Sequence, residues 1–275
     1  YFNFFKKKKN QSKVIKKNDI DTIIHLGGHA NVSESEVKKK KYYKNNIIST
    51  LNVVKACKGS NVKNFIFSSS CSVYGNVLGK VNEKRKLNPQ SYYAYTKYKS
   101  ENIIKKFSKK YKFKYIILRY FNVAGASKSG KIGEVGNKDG RLIKNLAIQY
   151  FKPKPIINIH GSNYKTKDGT CVRDYIHVSD IADIHYECIK YLKKNLKSNI
   201  FNCGYGKGYS VLEITNIFKK IKKNVKINFM KRRPGDVGQV HANTNKFKKT
   251  FKWKPKYNNI NKILNSAINW EKKLR

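Results

Sequence analysis

The chain has 275 residues, enough for one large or two modest domains, and its 39% apolar and 13% aromatic content excludes a disordered polar polypeptide. Its 61 basic and 16 acidic residues give a net charge of +45, yet the basic residues occur in every segment, and 54 are Lys against seven Arg, the residue suited to reading phosphates and bases bidentately. A specific nucleic-acid binder is therefore not expected, and no apolar run approaches the roughly 18 residues of a membrane span.

The chain starts at Tyr1 without a charged-then-apolar leader, so a cytoplasmic protein is expected. Cys57, Cys71, Cys171, Cys188 and Cys203 are odd in number and widely spaced. That pattern fits buried thiols in a reducing compartment rather than a metal site or a disulfide ladder.

Ile20 to Gly28 reads as a buried strand emptying into two glycines, and Ser35 to Lys58 carries a helical spread of apolar positions. Val62 to Phe67 is strand-like and ends in Ser68, Ser69 and Ser70. Gln90 to Tyr111 reads as a helix and Tyr115 to Leu118 as a strand. Strand, helix, strand, helix, strand predicts right-handed crossovers and a parallel α/β sheet. Beyond Asn122 come a Gly-rich stretch, a helix near Leu142 to Phe151, short strands, a helix at Val211 to Lys222 and a closing helix at Ile260 to Lys273. This part reads as a smaller α/β lobe beside the sheet.

Ligands bind open parallel sheets at the carboxyl ends of their strands. Three such ends carry flexible or polar residues: Gly27 and Gly28, Ser68 to Ser70, and Arg119 to Asn122. On the helix between the second and third strands, Tyr93 and Lys97 stand at i,i+4, a spacing at which an ammonium can stabilise a phenolate for proton transfer. Tyr95 and Lys99 share that spacing. Gly130, Gly133 and Gly136 match a dinucleotide-binding glycine pattern, but no strand leads into it and no apolar helix leaves it, so a surface loop is expected. Arg173 and Arg233 could each clamp a phosphate, and Asp236 could accept from a sugar diol. The alternatives are an Arg–Asp pair that supports packing and a solvated turn.

HLGGHANVSES from His25, NVKNFIFSSSCSVYG from Asn61, QSYYAYTK from Gln90, LRYFNVAGA from Leu118, DGTCVRDYIHVSDIAD from Asp168, FNCGYGKGYSV from Phe201 and RRPGD from Arg232 stand in colinear order. As a set they resemble the UDP-glucose 4-epimerases of the extended short-chain dehydrogenase/reductase family, over essentially the whole chain. The resemblance implies a Rossmann-type doubly wound parallel sheet lacking its first strands, in residues 1–122. Residues 123–275 would be mainly a UDP-sugar-binding lobe, with segments returning to the first domain. It implies NAD as cofactor, a UDP-hexose as substrate, hydride transfer at C4 through a 4-keto sugar, and a homodimer.

By position, the resemblance makes Ser70, Tyr93 and Lys97 catalytic and favours Tyr93 over Tyr95. Leu26, Gly27, Gly28, Asn46, Ser68, Tyr93, Lys97 and Phe121 would face NAD. Ser70, Asn122, Arg141, Leu142, Ile159, Arg173, Arg233, Asp236 and Val240 would face the UDP-sugar. No metal is implied. The family begins with a strand, a Gly-rich turn and a helix that this sequence lacks, roughly 54 residues by register, and without them the chain is expected to bind NAD poorly. Only Asn3 and Phe4 stand where the family meets adenine. Related 4,6-dehydratases carry an Asp-Glu pair where this chain has Cys71 and Ser72, which weighs against dehydration. A protein that only binds nucleotide sugar or polyanions is the remaining alternative. Val240, small where glucose-restricted enzymes are often aromatic, suggests tolerance of N-acetylhexosamines.

Overall fold

The computed structural model describes residues 8–77, 79–136, 141–194 and 197–275, with side chains from residue 11 onward. The chain divides into two units. The first takes residues through Gly75, Glu83–Tyr120 and His185–Phe201; the second takes Asn76–Asn82, Phe121–Ile184 and Asn202–Arg275.

In the first unit, β1 (Thr22–His25), β2 (Asn64–Ser70), β4 (Lys114–Tyr120) and β8 (Asn199–Cys203) form a sheet in the order β1-β2-β4-β8. β1 pairs parallel to β2 from Thr22↔Asn64 to His25↔Phe67, and β2 to β4 from Asn64↔Lys114 to Ser70↔Tyr120. The parallel registers bring the carboxyl ends of these strands to one side. Six of the seven β2 residues are buried, as expected for a parallel strand covered on both faces. Phe65, Phe67 and Ile117 pack on one face with Ile15 of α1 (Lys8–Lys17), Val53 and Val54 of α4 (Ser49–Ala56) and Ile104 of α5 (Tyr92–Tyr111). Between β1 and α4 run α2 (Val32–Val37), α3 (Lys39–Tyr42) and a π-helical turn, Tyr43–Ile48.

Arg119 points inward. Its guanidinium is 2% exposed and clamps Glu101 of α5, with Nε donating to Oε1 at 2.9 Å and Nη2 to Oε2 at 2.7 Å. The strand end expected to present Arg119 to a ligand therefore uses it to tie β4 to α5, because a buried charge needs its partner.

In the second unit, β3 (Lys80–Val81), β11 (Gln239–Ala242), β7 (Val172–His177) and β5 (Asn122–Ala124) pair in that order, all parallel, and β9 (Gly208–Ser210) adds antiparallel to β7. A separate pair joins β6 (Ile156–His160) to β10 (Lys226–Met230) in parallel. The helices are α6 (Leu142–Tyr150), α8 (Val211–Ile221), α9 (Asn245–Phe251) and α10 (Ile260–Lys273), while α7 (Val178–Lys193) is shared between the units. The fully buried Asp174 carboxylate holds the β11 chain to the turn after β8, accepting from Tyr205 N at 2.9 Å, Gly206 N at 2.8 Å and Ala242 N at 3.1 Å. Gly133 lies against Trp270, and Gly130 and Gly136 sit in irregular chain.

Candidate active site

In the first unit the side chains at the strand ends converge on the start of α5. Ser91 caps that helix, its Oγ accepting from Ala94 N at 3.2 Å. The next two amides are held from α2: Tyr92 N donates to the Glu36 carboxylate at 2.7 Å and Tyr93 N to Ser35 Oγ at 2.9 Å. An anion and a hydroxyl on the orphan donors of a helix N-terminus fix its position and complement its dipole. Neither residue was expected at the site; Ser35 closes the SES stretch after β1 and Glu36 follows it.

The Tyr93 phenol, buried at the first turn of α5, lies beside Ser70 at the tip of β2, whose hydroxyl draws its pKa down. Ser70 Oγ also accepts from Ser72 N at 3.2 Å and Ser72 Oγ at 2.9 Å, as the cap of a 3-10 turn, Cys71–Tyr74. One helical turn on, the buried Lys97 ammonium donates to Ser68 O at 2.7 Å and lies 5.0 Å over the Phe67 ring. Tyr95 and Lys99 pair with each other facing outward, the ammonium 5.3 Å over a ring that is 39% exposed. The helix therefore turns Tyr93 and Lys97, not Tyr95 and Lys99, toward the strand tips.

The spacing suggested a phenolate stabilised by its lysine. Burial instead dominates both groups, pushing the Tyr93 phenol up to about 12 despite the Ser70 hydroxyl that draws it down, and pulling Lys97 down to about 8. The phenol is thus protonated in the unliganded fold.

Asn46 sits in the π-helical turn, a feature that recurs at functional sites. Its amide bonds both ways with His29, Oδ1 accepting from the backbone N–H at 2.8 Å and Nδ2 donating to the carbonyl at 3.1 Å, and also donates to Thr96 Oγ1 at 2.9 Å. The Asn46 carbonyl accepts from Thr50 Oγ1 at 2.6 Å and Ser100 Oγ at 3.1 Å. Asn46 thereby pins the loop after β1 to α5. Gly28 in that loop has φ +151°, and a Cβ there would meet Asn46 Oδ1 at 2.9 Å and Lys97 Nζ at 3.7 Å. Leu26 is 60% exposed, and Ser68 is buried with its hydroxyl donating to His25 O.

Arg173 on β7 lies 3.8 Å from Asp236 and donates to Val172 O at 3.0 Å and Gly238 O at 3.4 Å. Val240 pairs with Arg173 across β11 and β7 and is buried. Arg233 and Asp236 stand on one turn, Asp236 N donating to Arg233 O. Phe121 is buried with its N–H bonded to Cys203 O, and Asn122 beside it is half-buried. Leu142 opens α6, and Arg141 just before it pairs with Glu134 at 2.9 Å. Ile159 is fully buried in β6, and His160 at the strand tip is half-buried. Asn3 and Phe4 lie outside the described residues. Four of the five free cysteines are buried; Cys71, beside Tyr93, is partly exposed.

The nicotinamide end of a dinucleotide fits the chemistry of the first unit. Lys97 has three donors and one bonded acceptor among the described residues, which leaves capacity for a ribose diol. Gly28 keeps the neighbouring backbone bare where a side chain would collide.

Residues 5–204 match the NAD dependent epimerase/dehydratase family. A UDP-glucose 4-epimerase of Lactobacillus helveticus is 38% identical over 264 residues, covering 95% of this chain and 80% of that protein. Among solved structures, UDP-glucose 4-epimerase from Bifidobacterium longum in complex with NAD+ and UDP is similar with a TM-score of 0.89 and 32% identity, over 99% of this chain and 82% of that one. The UDP-Glc/GlcNAc 4-epimerase from Campylobacter jejuni has a TM-score of 0.83 and 36% identity, over 99% and 83% respectively. With a strand-tip serine against a helical tyrosine and lysine, and relatives alike over nearly its whole length, this chain belongs to the NAD dependent epimerase/dehydratase family.

Proposed function

We propose that this protein interconverts UDP-glucose and UDP-galactose by reversible oxidation at C4 of the hexose. The observation that carries the reading is the placement of the buried Tyr93 phenol beside Ser70 at the tip of β2, with the Lys97 ammonium one turn along the same helix. NAD, when bound, supplies the hydride acceptor and donor for C4. Leu26, Gly27, Gly28, Asn46, Ser68, Lys97 and Phe121 are the residues that would hold it.

Tyr93 would enter the cycle as the phenolate, its own proton released to solvent once a cationic nicotinamide stands beside it; Oη then takes the proton of the 4-hydroxyl as hydride leaves C4, and returns it when the ketone is reduced. Ser70 donates to the phenolate oxygen, and Lys97, anchored on Ser68 O, adds positive potential from one side, so both stabilise the base before it takes the proton.

Arg173, Arg233 and Asp236 grip the nucleotide. Their planar guanidinium groups suit the pyrophosphate, and the carboxylate suits a ribose diol. Asn122, Arg141 and Leu142 flank the sugar. Because these anchors act on the nucleotide, the hexose can present either face while the nucleotide stays held. The small Val240 supports acceptance of UDP-N-acetylhexosamines as well. The test is to incubate protein expressed from its natural transcript with UDP-galactose and NAD and to follow UDP-glucose by NMR. Formation of UDP-glucose supports the reading, and its absence at any protein concentration refutes it.

A further inference from the structure

β6 and β10 run parallel in the register His160↔Met230, so the loops that follow them leave the same edge together. They are joined there. Gly161 N donates to Met230 O at 2.8 Å. The Arg232 guanidinium lies over the Tyr164 ring, 4.1 Å from its centroid, while Nε donates to Asn163 Oδ1 at 2.7 Å and Nη2 donates to Asn163 O. Gly161, at φ +84°, is the residue that permits this stack: a Cβ would stand 2.4 Å from the Tyr164 ring and 2.9 Å from Arg232 Cγ.

The Tyr164 side of the contact is stiff. Tyr164 is 8% exposed. Its N–H is bonded to Gly169 O at 2.9 Å, Thr166 Oγ1 donates to Thr170 O at 2.7 Å, and Asp168 accepts from both the amide and hydroxyl of Thr170. The ring also stands close to the far end of the second loop, where a Cβ at Gly238 would lie 3.4 Å from Tyr164 Cδ1. One aromatic ring thus lies beside both ends of the 232–238 turn, and Arg233 and Asp236 stand within it.

We propose that Tyr164 and Arg232 form a cation–aromatic latch that sets the position of Arg233 and Asp236, and so the affinity for the nucleoside diphosphate part of the substrate. The inference rests on the reading that Arg233 and Asp236 hold UDP. Arg232 and Tyr164 are positioning residues; neither need touch the ligand. Arg232 is exposed, so replacing it does not open the core. Lysine there keeps the charge, and with it the long-range attraction of a pyrophosphate, but loses the flat face and the fork that grips Asn163.

The experiment is calorimetric titration of UDP into the full chain and its variants, with steady-state kinetics on UDP-galactose alongside. Arg232→Lys is expected to weaken UDP about tenfold and to raise KM by the same factor with kcat unchanged. Tyr164→Leu should do the same, Tyr164→Phe should stay within about twofold of the parent, and Arg232→Lys/Tyr164→Leu should be no weaker than either single variant. If Arg233→Ala loses UDP while Arg232→Lys binds it as the parent does, the latch is wrong and the nucleotide reading stands. Additive losses in the double variant also overturn the latch. Failure of the parent to bind UDP, or undiminished binding by Arg233→Ala, overturns the reading on which the latch rests.

Discussion

Ser70 at the tip of β2 stands beside the buried Tyr93 phenol of α5 and draws its pKa down. Burial outweighs it, so the free protein holds Tyr93 protonated, near 12. In ultraviolet difference titration against Tyr93→Phe, the free protein should show no Tyr93 phenolate below about pH 10, roughly the ordinary tyrosine value. Ser70→Ala should move that ionisation to still higher pH. A Tyr93 phenolate near neutrality in the free protein would contradict this.

Glu101 is fully buried and accepts from Ser69 Oγ at 2.6 Å as well as from Arg119. Glu101→Gln leaves the Arg119 charge buried without its counterion, at a cost of about 3–5 kcal/mol in urea unfolding. Glu101→Gln combined with Arg119→Met should recover most of that loss. A single-variant loss under about 1 kcal/mol would show that this pair does not anchor α5 on β4.

His25 is buried, bonded through Nε2 to Thr50 Oγ1 at 3.0 Å, and burial with the nearby Lys97 charge pulls it down to about 3. The unfolded chain takes up this proton below its ordinary value while the fold refuses it, so the stability it supports is whole above about pH 6.5 and falls as pH drops toward 3. Between pH 7.5 and 5.5 this residue alone should remove about 1.4 kcal/mol from the unfolding free energy, a loss absent in His25→Gln. Equal slopes for the two proteins would contradict the assignment.

Val240 is small and lies beside Arg173 in the strand register. Val240→Tyr should keep turnover of UDP-galactose and reduce that of UDP-N-acetylglucosamine at least about tenfold, since a filled pocket rejects a bulky substituent by clash. Parent and variant that are both inactive on UDP-N-acetylglucosamine, while both convert UDP-galactose, would refute it.

The elements with strong local signals were legible in the sequence. α10 begins and ends where its apolar periodicity does, behind an Asn259 cap, and α5 begins one residue after Ser91. The parallel order of β1, β2 and β4 followed from strand–helix alternation. The π-helical turn at Tyr43–Ile48 was not legible, because a change in hydrogen-bond step leaves no mark in composition. Nor was α7, which continues directly from β7 with no turn residue between them. At the site, Tyr93 could be told from Tyr95 by resemblance, but spacing was silent because the two pairs are equivalent along the helix. Arg119 misled because a charged residue near a strand end looks ligand-facing until its buried partner is seen.

The most direct test compares Tyr93→Phe with the parent, both expressed from the natural transcript, measuring UDP-galactose conversion and UDP affinity on the same preparations. The account predicts a rate lower by about 10²–10⁴ with UDP affinity unchanged, the range for losing one proton-transfer group. A variant that converts UDP-galactose as fast as the parent would contradict it.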